Sequence, residues 1–255
     1  MSVARSLLNI IYNRRTIRKF RPAEIPEEIL NMIVEAGQRA PSYYQAYSFI
    51  LVSDKEKRKA LEDICEANYI SNASAIIVIC SDLNRVSKMF SYLTSNHILT
   101  SDEYPIETIH SIFETGLATQ NMIIAAEVLG FGTALLRCVL SEAERVAALL
   151  ELPKGVIPIA LLCIGEKDEI PPKRPRWPLH IVFHKNKYRE PNPYEIANYV
   201  EESSEMYDRE GYLIKYKGIS IRYKDYLAMQ VERTKNMEKN YERLSKFLRK
   251  AGFKI

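Results

Sequence analysis

IETIHSIFETGLATQNMIIAAEVLGFGTALLRC, residues 106–138, holds the two elements on which the architecture turns. Over Ile106–Leu129 the residues Ile109, Ile112, Phe113, Gly116, Leu117, Gln120 and Ile124 keep to one side of a 3.6-residue period, which predicts a long core helix built on that face. Gly130 ends it, and Gly132–Cys138 reads as a strand. Glu107, His110, Glu114, Gln120, Asn121 and Glu127 interrupt the apolar run too often for a bilayer-spanning helix. The segment is nevertheless too hydrophobic to need only one chain's sheet as cover, so a homodimer is expected.

On the N-terminal side, Leu7, Leu8, Ile10 and Ile11, and then Ile29, Leu30, Ile33 and Val34 behind Pro26, predict two helices that flank RRTIRKFRP, residues 14–22. Ser48–Asp54 and Ala75–Ser81 predict buried strands on either side of a charged helix, KEKRKALEDICEAN. On the C-terminal side, Ser141-x-x-Glu144 has the capping-box pattern of a helix that Pro153 closes. Val156–Gly165 predicts a further strand, followed by the proline-rich loop PPKRPRWPL, residues 171–179. Helical spacing resumes at Asn192, and Arg222–Ala251 reads as one long helix ending at Gly252. Strands separated by helices, without Asn-Gly hairpin turns, indicate an α+β (mixed α/β) fold.

A chain of 255 residues with 47% apolar content can bury one sizeable core, or one core plus an appended element. The N-terminal residues MSVARSLLNIIYNRR lack a cleavage site of small residues, so no signal peptide is expected and the protein is placed in the cytoplasm, off the membrane. The four cysteines form no CxxC or Cys/His metal spacing, so no metal is expected; Cys80 and Cys163, inside apolar runs, read as buried inert thiols. Residues 211–255 carry 12 Lys+Arg against 4 Asp+Glu, a local +8 within a chain of net +4, so residues 1–210 sum to −4. With no nucleic-acid-reading motif beside it, this basic tail reads as a solvated helix face, and no nucleic-acid partner is expected.

Two short segments carry candidate chemistry. If Arg14–Arg18 is extended, Arg14, Thr16 and Arg18 project to one face and Ile17 to the other, a comb of anion donors beside a core. Arg174-Pro175-Arg176 repeats the alternation in a loop pre-ordered by prolines. Taken singly, each also fits a charged surface turn. Neither a Walker nor a GxGxxG pattern is present, which points to phosphate held by side chains and not by a glycine-rich turn.

RRTIRKFRP, RAPSYYQAYSFILVSD, the long helix running into AAEVLGFGT, and LPKGVIPIALLCIGEKDEIPPKRPRWPL together resemble the FMN-dependent nitroreductases. The branch with most likeness holds the larger oxygen-insensitive NAD(P)H nitroreductases and flavin reductases, which have an extended C-terminus. The resemblance covers residues 10–190 and is looser beyond. It implies a mixed sheet wrapped by helices and two chains intertwined as a homodimer. It also implies an FMN-binding domain over residues 1–190, with residues 191–255 as a helical extension packed on it. By the same resemblance Arg14 and Thr16, with Arg174 and Arg176, grip the FMN phosphate, Arg15 is a further cofactor-binding residue, and Arg18 stands at the N1/O2 edge of the ring. Ser42 and Gln45 line the ring, and Leu135, Leu136 and Arg137 pack along it, the Arg137 N–H directed at N5. Arg222 is the nearest match to a nicotinamide-phosphate receptor. The chain departs from the branch at Arg137 and Cys138, where small residues are common.

The implied activity is hydride transfer from NADPH or NADH through FMN N5 to a nitroaromatic, quinone or flavin by a ping-pong mechanism, with no side-chain nucleophile. The alternative is an FMN-binding store or redox sensor without efficient turnover.

Overall fold

A computed structural model describes residues 2–94, 105–235 and 238–253. Its contacts divide the chain into two units, Met1–Pro171 with Asn240–Ile255, and Pro172–Lys239. The proline-rich loop therefore goes with the helices that follow it, and the last helix goes with the first unit.

In the first unit the order is α1 (Ser2–Asn13), β1 (Phe20–Arg21), α2 (Glu27–Gln38), β2 (Tyr47–Leu51), α3 (Lys55–Cys65), β3 (Ala75–Asp82) and α4 (Leu83–Thr94). There follow α5 (Pro105–Val128), β4 (Gly132–Leu136), α6 (Cys138–Ser141), α7 (Ala143–Leu149) and β5 (Val156–Lys167). The second unit contributes α8 (Leu179–Val182), α9 (Pro193–Glu210), α10 (Tyr212–Lys217) and α11 (Tyr223–Lys235), and α12 (Glu238–Lys250) returns to the first. The helix expected over Arg222–Ala251 is thus described as α11 and α12, residues 236 and 237 between them lying outside the described residues.

β5 is the central strand, with β3 antiparallel along one edge and β4 and β1 antiparallel to its C-terminal half. β2 extends the sheet beyond β3. The ladders are antiparallel, and the mixed character comes from Thr16, which bridges Thr133 in parallel. β3 is buried along its whole length. Ile76, Val78 and Cys80 join Leu61, Val139, Val146 and Leu161 on one face, while Ala75, Ile77 and Ile79 meet Ile33, Met122, Ile123 and Leu162 on the other. A strand covered on both faces has no polar side, which explains why AIIVICS reads as an unbroken apolar run and not an alternating one.

The strand expected over Ser48–Asp54 begins one residue earlier and ends at Leu51. Asp54 instead caps α3, its carboxylate accepting the Lys57 N–H at 2.8 Å. The capping box at Ser141 does not form. Ser141 is the last residue of α6, so its backbone is already helical, and α7 starts from Glu142 with no side-chain cap.

α5 ends as expected, with Gly130 at φ +93° and the Phe131 N–H reaching back to the Ala126 carbonyl. Its buried face, however, is not the apolar stripe named from the sequence. Ile109 and Phe113 are 63% and 64% exposed, whereas Thr108, Ser111, Thr115, Ala118, Thr119, Met122 and Ala126 are buried. Hydroxyl groups tolerate that position because the helix satisfies them: Thr115 donates to the Ser111 carbonyl at 2.6 Å and Thr119 to that of Thr115 at 2.7 Å. Their small size lets α5 lie close to the sheet, and in its N-terminal half the large apolar residues Ile109 and Phe113 are left facing outward.

Cys65, at the end of α3, and Cys138, at the start of α6, form a disulfide that the sequence did not suggest. Cys80 and Cys163 are buried free thiols, and burial pushes both pKa values up to about 12. At the C-terminus, Leu248 and the fully buried Phe253 pack with Leu83, Val86 and Ile157.

Candidate functional site

Arg14–Arg18 is extended. The Ile17 N–H donates to the Thr133 carbonyl at 2.9 Å, and Ile17, 3% exposed, points inward. Gly132 permits this approach, since a Cβ there would lie 2.7 Å from the Ile17 side chain. Arg18, beyond Ile17, is half-buried. Glu169 fixes the far end by accepting the N–H groups of Arg18 at 2.6 Å and Lys19 at 3.2 Å. Beneath the bridge, the buried Glu127 accepts from Thr133 Oγ1 at 2.9 Å and pairs with Lys167 Nζ at 2.8 Å. Arg14, Arg15 and Thr16 are all half-buried. Arg15 Nε is fully enclosed and has no hydrogen-bond partner among the described residues. A buried donor of a charged group left unmade is costly, and an anion at this position relieves it.

β4 carries the second group. Leu135 is exposed, Leu136 is half-buried against the core, and Arg137 is exposed at the strand's end. Arg137 is also the N-cap residue of α6, its carbonyl accepting from the Leu140 N–H at 3.0 Å. Because Thr16 pairs with Thr133, the first two groups are held on one pair of strands.

Ser42 and Gln45 sit in the connection between α2 and β2. Gln45 adopts φ +52°, and its N–H donates to Ser42 Oγ at 2.7 Å. Glu114, on α5, accepts the N–H groups of Tyr43 at 2.6 Å, Tyr44 at 3.2 Å and Ala46 at 2.9 Å. Burial alone would raise the Glu114 pKa, but these N–H groups together with the Ser42 hydroxyl outweigh it and hold the carboxyl below its ordinary range. Arg85, on α4, donates to the Gln45 carbonyl at 2.8 Å and to the Tyr47 carbonyl. Sequence reasoning missed both residues. Glu114 left a signal, an ionisable residue in the middle of an apolar helix, and Arg85 left none.

In the second unit Arg174 is ion-paired to the buried Glu210, and its guanidinium lies 4.3 Å from the Tyr207 ring centroid and 4.7 Å from that of Tyr212. Its Nη1 meets Glu210, while its enclosed Nη2 has no hydrogen-bond partner among the described residues. Arg176 is exposed and donates to the Arg174 and Pro175 carbonyls. Arg222 lines an open hollow with Tyr207, Asp208, Tyr212 and Ile221, its Nε 3.6 Å from Asp225. No group of three or more His, Cys, Asp or Glu suited to a metal ion exists among the described residues.

A family model described as "Nitroreductase family" matches residues 11–166. The NADPH-dependent oxidoreductase of Staphylococcus saprophyticus is 33% identical over 184 residues, 71% of this chain and 73% of that protein. The NADPH-flavin oxidoreductase of Vibrio harveyi is 31% identical over 195 residues, 75% of this chain and 78% of the relative. The solved structure of the Vibrio harveyi NADPH:FMN oxidoreductase complexed with NAD+ superposes with a TM-score of 0.80 at 26% identity, covering 97% of this chain and 98% of that one.

Proposed function

The chain belongs to the nitroreductase family, and from that premise we propose that it is an FMN-dependent oxidoreductase that carries hydride from NAD(P)H to a small electron-poor acceptor. A nitroaromatic, a quinone or a free flavin has the required chemistry, and donor and acceptor use the site in turn, in ping-pong fashion. The enclosed Arg15 Nε, without a hydrogen-bond partner among the described residues, carries this reading, because it sits in the same extended segment as Arg14 and Thr16. The residues fit FMN. When bound, the cofactor supplies a ring that accepts and releases hydride. Arg14 and Thr16 hold the phosphate, with Arg15 beside them. Arg18 places positive charge where negative charge develops on the pyrimidine edge, a contribution that grows in the transition state. Leu135 and Leu136 supply an apolar wall that excludes water, and the Arg137 N–H orients the reactive edge. Ser42 and Gln45 line the ring. Arg222 is the proposed contact for the nicotinamide nucleotide.

Anaerobic addition of NADPH or NADH to the FMN-loaded protein should bleach the flavin, and an acceptor should restore it. Flavin that stays oxidised with both donors would instead establish a store or sensor. Arg15→Ala should weaken FMN binding about tenfold to a hundredfold, the effect of one charge-assisted contact. Fluorescence titration of the apoprotein measures this, and an affinity within twofold of the parent would remove Arg15 from the site.

The proposed assembly is a homodimer formed through α5. Its support is the outward apolar face, with Ile109 and Phe113 on α5 and Leu7, Leu8 and Ile11 on α1 all exposed. Phe113→Asp should yield monomers by light scattering, and because Phe113 lies outside the core of one chain, circular dichroism should remain native. A parent protein that is monomeric, or a variant that stays dimeric, counts against this interface. No helix among the described residues is long and apolar enough to cross a membrane, and the proposed location is the cytoplasm.

A further inference from the structure

Four successive N–H groups leave the connection between α2 and β2 on its inner side, and none of them joins a strand or a helix. Those of Tyr43, Tyr44 and Ala46 converge on the Glu114 carboxylate, and that of Gln45 is taken by Ser42 Oγ. Three successive carbonyl groups at the end of the connection are held as well. Arg85 takes those of Gln45 and Tyr47, and the Ala46 carbonyl accepts the Asp82 N–H at 2.9 Å. Arg85 is itself steered by Ser48 Oγ at 3.2 Å and by Asp82, 3.7 Å away. An irregular segment normally leaves such groups to water and samples several conformations. Here a carboxylate on one helix takes the N–H groups and a guanidinium on another takes the carbonyl groups of the same short connection, and Gln45 is held at a φ of +52°, a conformation costly for any residue but glycine.

Packing alone does not call for this arrangement. Glu114 is 6% exposed, and its buried neighbours along α5, Ser111, Thr115 and Ala118, carry only hydroxyl and methyl groups, so an apolar residue would fill the same space without the cost of desolvating a charge. Its stabilisation comes from the N–H groups of the connection, and in return it dictates their position.

We propose that Glu114 and Arg85 are positioning residues for the flavin site: together they lock the connection so that the Ser42 and Gln45 side chains meet the FMN ring in one fixed arrangement. This rests on the reading that Ser42 and Gln45 line that ring.

Two pairs of variants separate the proposal from the reading beneath it. Glu114→Gln places an amide donor against the converging N–H groups, and Arg85→Lys keeps the charge but cannot span two carbonyl groups. Each should weaken FMN binding by about tenfold, the effect of a lost charge-assisted hydrogen bond. Each should also alter the visible circular dichroism of the bound flavin, and at saturating FMN lower kcat while leaving KM for the nicotinamide nearly unchanged. A purely structural role moves the melting temperature alone. Ser42→Ala and Gln45→Ala test the underlying reading by the same titration and spectrum. If both leave FMN affinity and dichroism unchanged, that reading fails and the proposal with it. If they shift these quantities while Glu114→Gln and Arg85→Lys do not, the reading stands and the positioning role is overturned. Should Glu114→Gln not fold, Arg85→Lys decides alone, since the Arg85 side chain is 55% exposed and outside the core.

Discussion

Arg174→Ala is expected to lower the stability of the second unit by roughly 3–5 kcal/mol, the usual result of leaving one member of a buried ion pair behind. The side chains of Arg174 and Glu210 are only 17% and 7% exposed, so the carboxylate that remains has little water to turn to. The guanidinium is also the centre of an aromatic cluster. It lies over Tyr207 and Tyr212, and Tyr207 stacks on Tyr223 with centroids 3.9 Å apart. Each such cation–ring contact is worth about 0.5–2 kcal/mol. Burial pushes the Tyr223 phenol above its ordinary pKa, so this ring of the cluster stays neutral and offers the remaining carboxylate no compensating charge. Hydrogen exchange in α9 and α10 should therefore speed up in Arg174→Ala. In a cycle with Glu210→Gln the two changes should be strongly non-additive. The loop read from its sequence alone promises another result, a stable protein that merely loses FMN. Unchanged exchange with weakened flavin binding would restore that expectation, and Arg176→Ala shows how far the exposed neighbour acts on the cofactor by itself.

Opening the Cys65–Cys138 bridge should cost roughly 4 kcal/mol, since it closes a loop of 73 residues and its main effect is to restrict the unfolded chain. For a chain of this length that corresponds to a melting temperature lower by about 8–16 °C. Cys65→Ser/Cys138→Ser and the reduced parent should melt together. The remaining thiols do not confuse the assignment, because Cys80 and Cys163 are buried and held protonated by pKa values of about 12. Two titratable thiols in the denatured, unreduced protein are expected; four would mean that no bridge forms. In a compartment that keeps thiols reduced, this share of the stability is absent unless an oxidant maintains it.

Local chemistry made most of the architecture legible. β3 and β5 are written as apolar runs because both of their faces are covered, and α9 starts at Asn192 because Asn192 and Glu195 form a reciprocal cap. The failures share a cause. The stripe from Ile109 to Ile124 marks an apolar face faithfully, but periodicity does not say what covers it, and the hydroxyl-lined face wins the sheet because it is slim and satisfied by its own helix. Ser141 carries a capping pattern that a short preceding helix cancels. Within the candidate site, the inward turn of Ile17 between flanking cations was readable because it is local to one extended segment. The groups that hold the site were not: Glu114 meets its partners some 70 residues away, Arg174 meets Glu210 across 36, and Cys65 meets Cys138 across 73. No spacing rule reaches that far.

The return of α12 to the first unit also bears on how the protein is made. Both faces of the sheet are covered by residues between Ile17 and Ile164, so they can close while translation is still under way. The cluster around Leu83, Val86 and Ile157 cannot, because it awaits Leu248, Ala251 and Phe253. At the usual ~5–20 residues per second, roughly ten to thirty seconds separate the synthesis of Leu83 from that of Phe253. For that interval a nascent chain exposes an unfinished apolar seam on an otherwise assembled sheet, a natural target for a chaperone. A ribosome that stalls before α12 releases a product that cannot complete this seam.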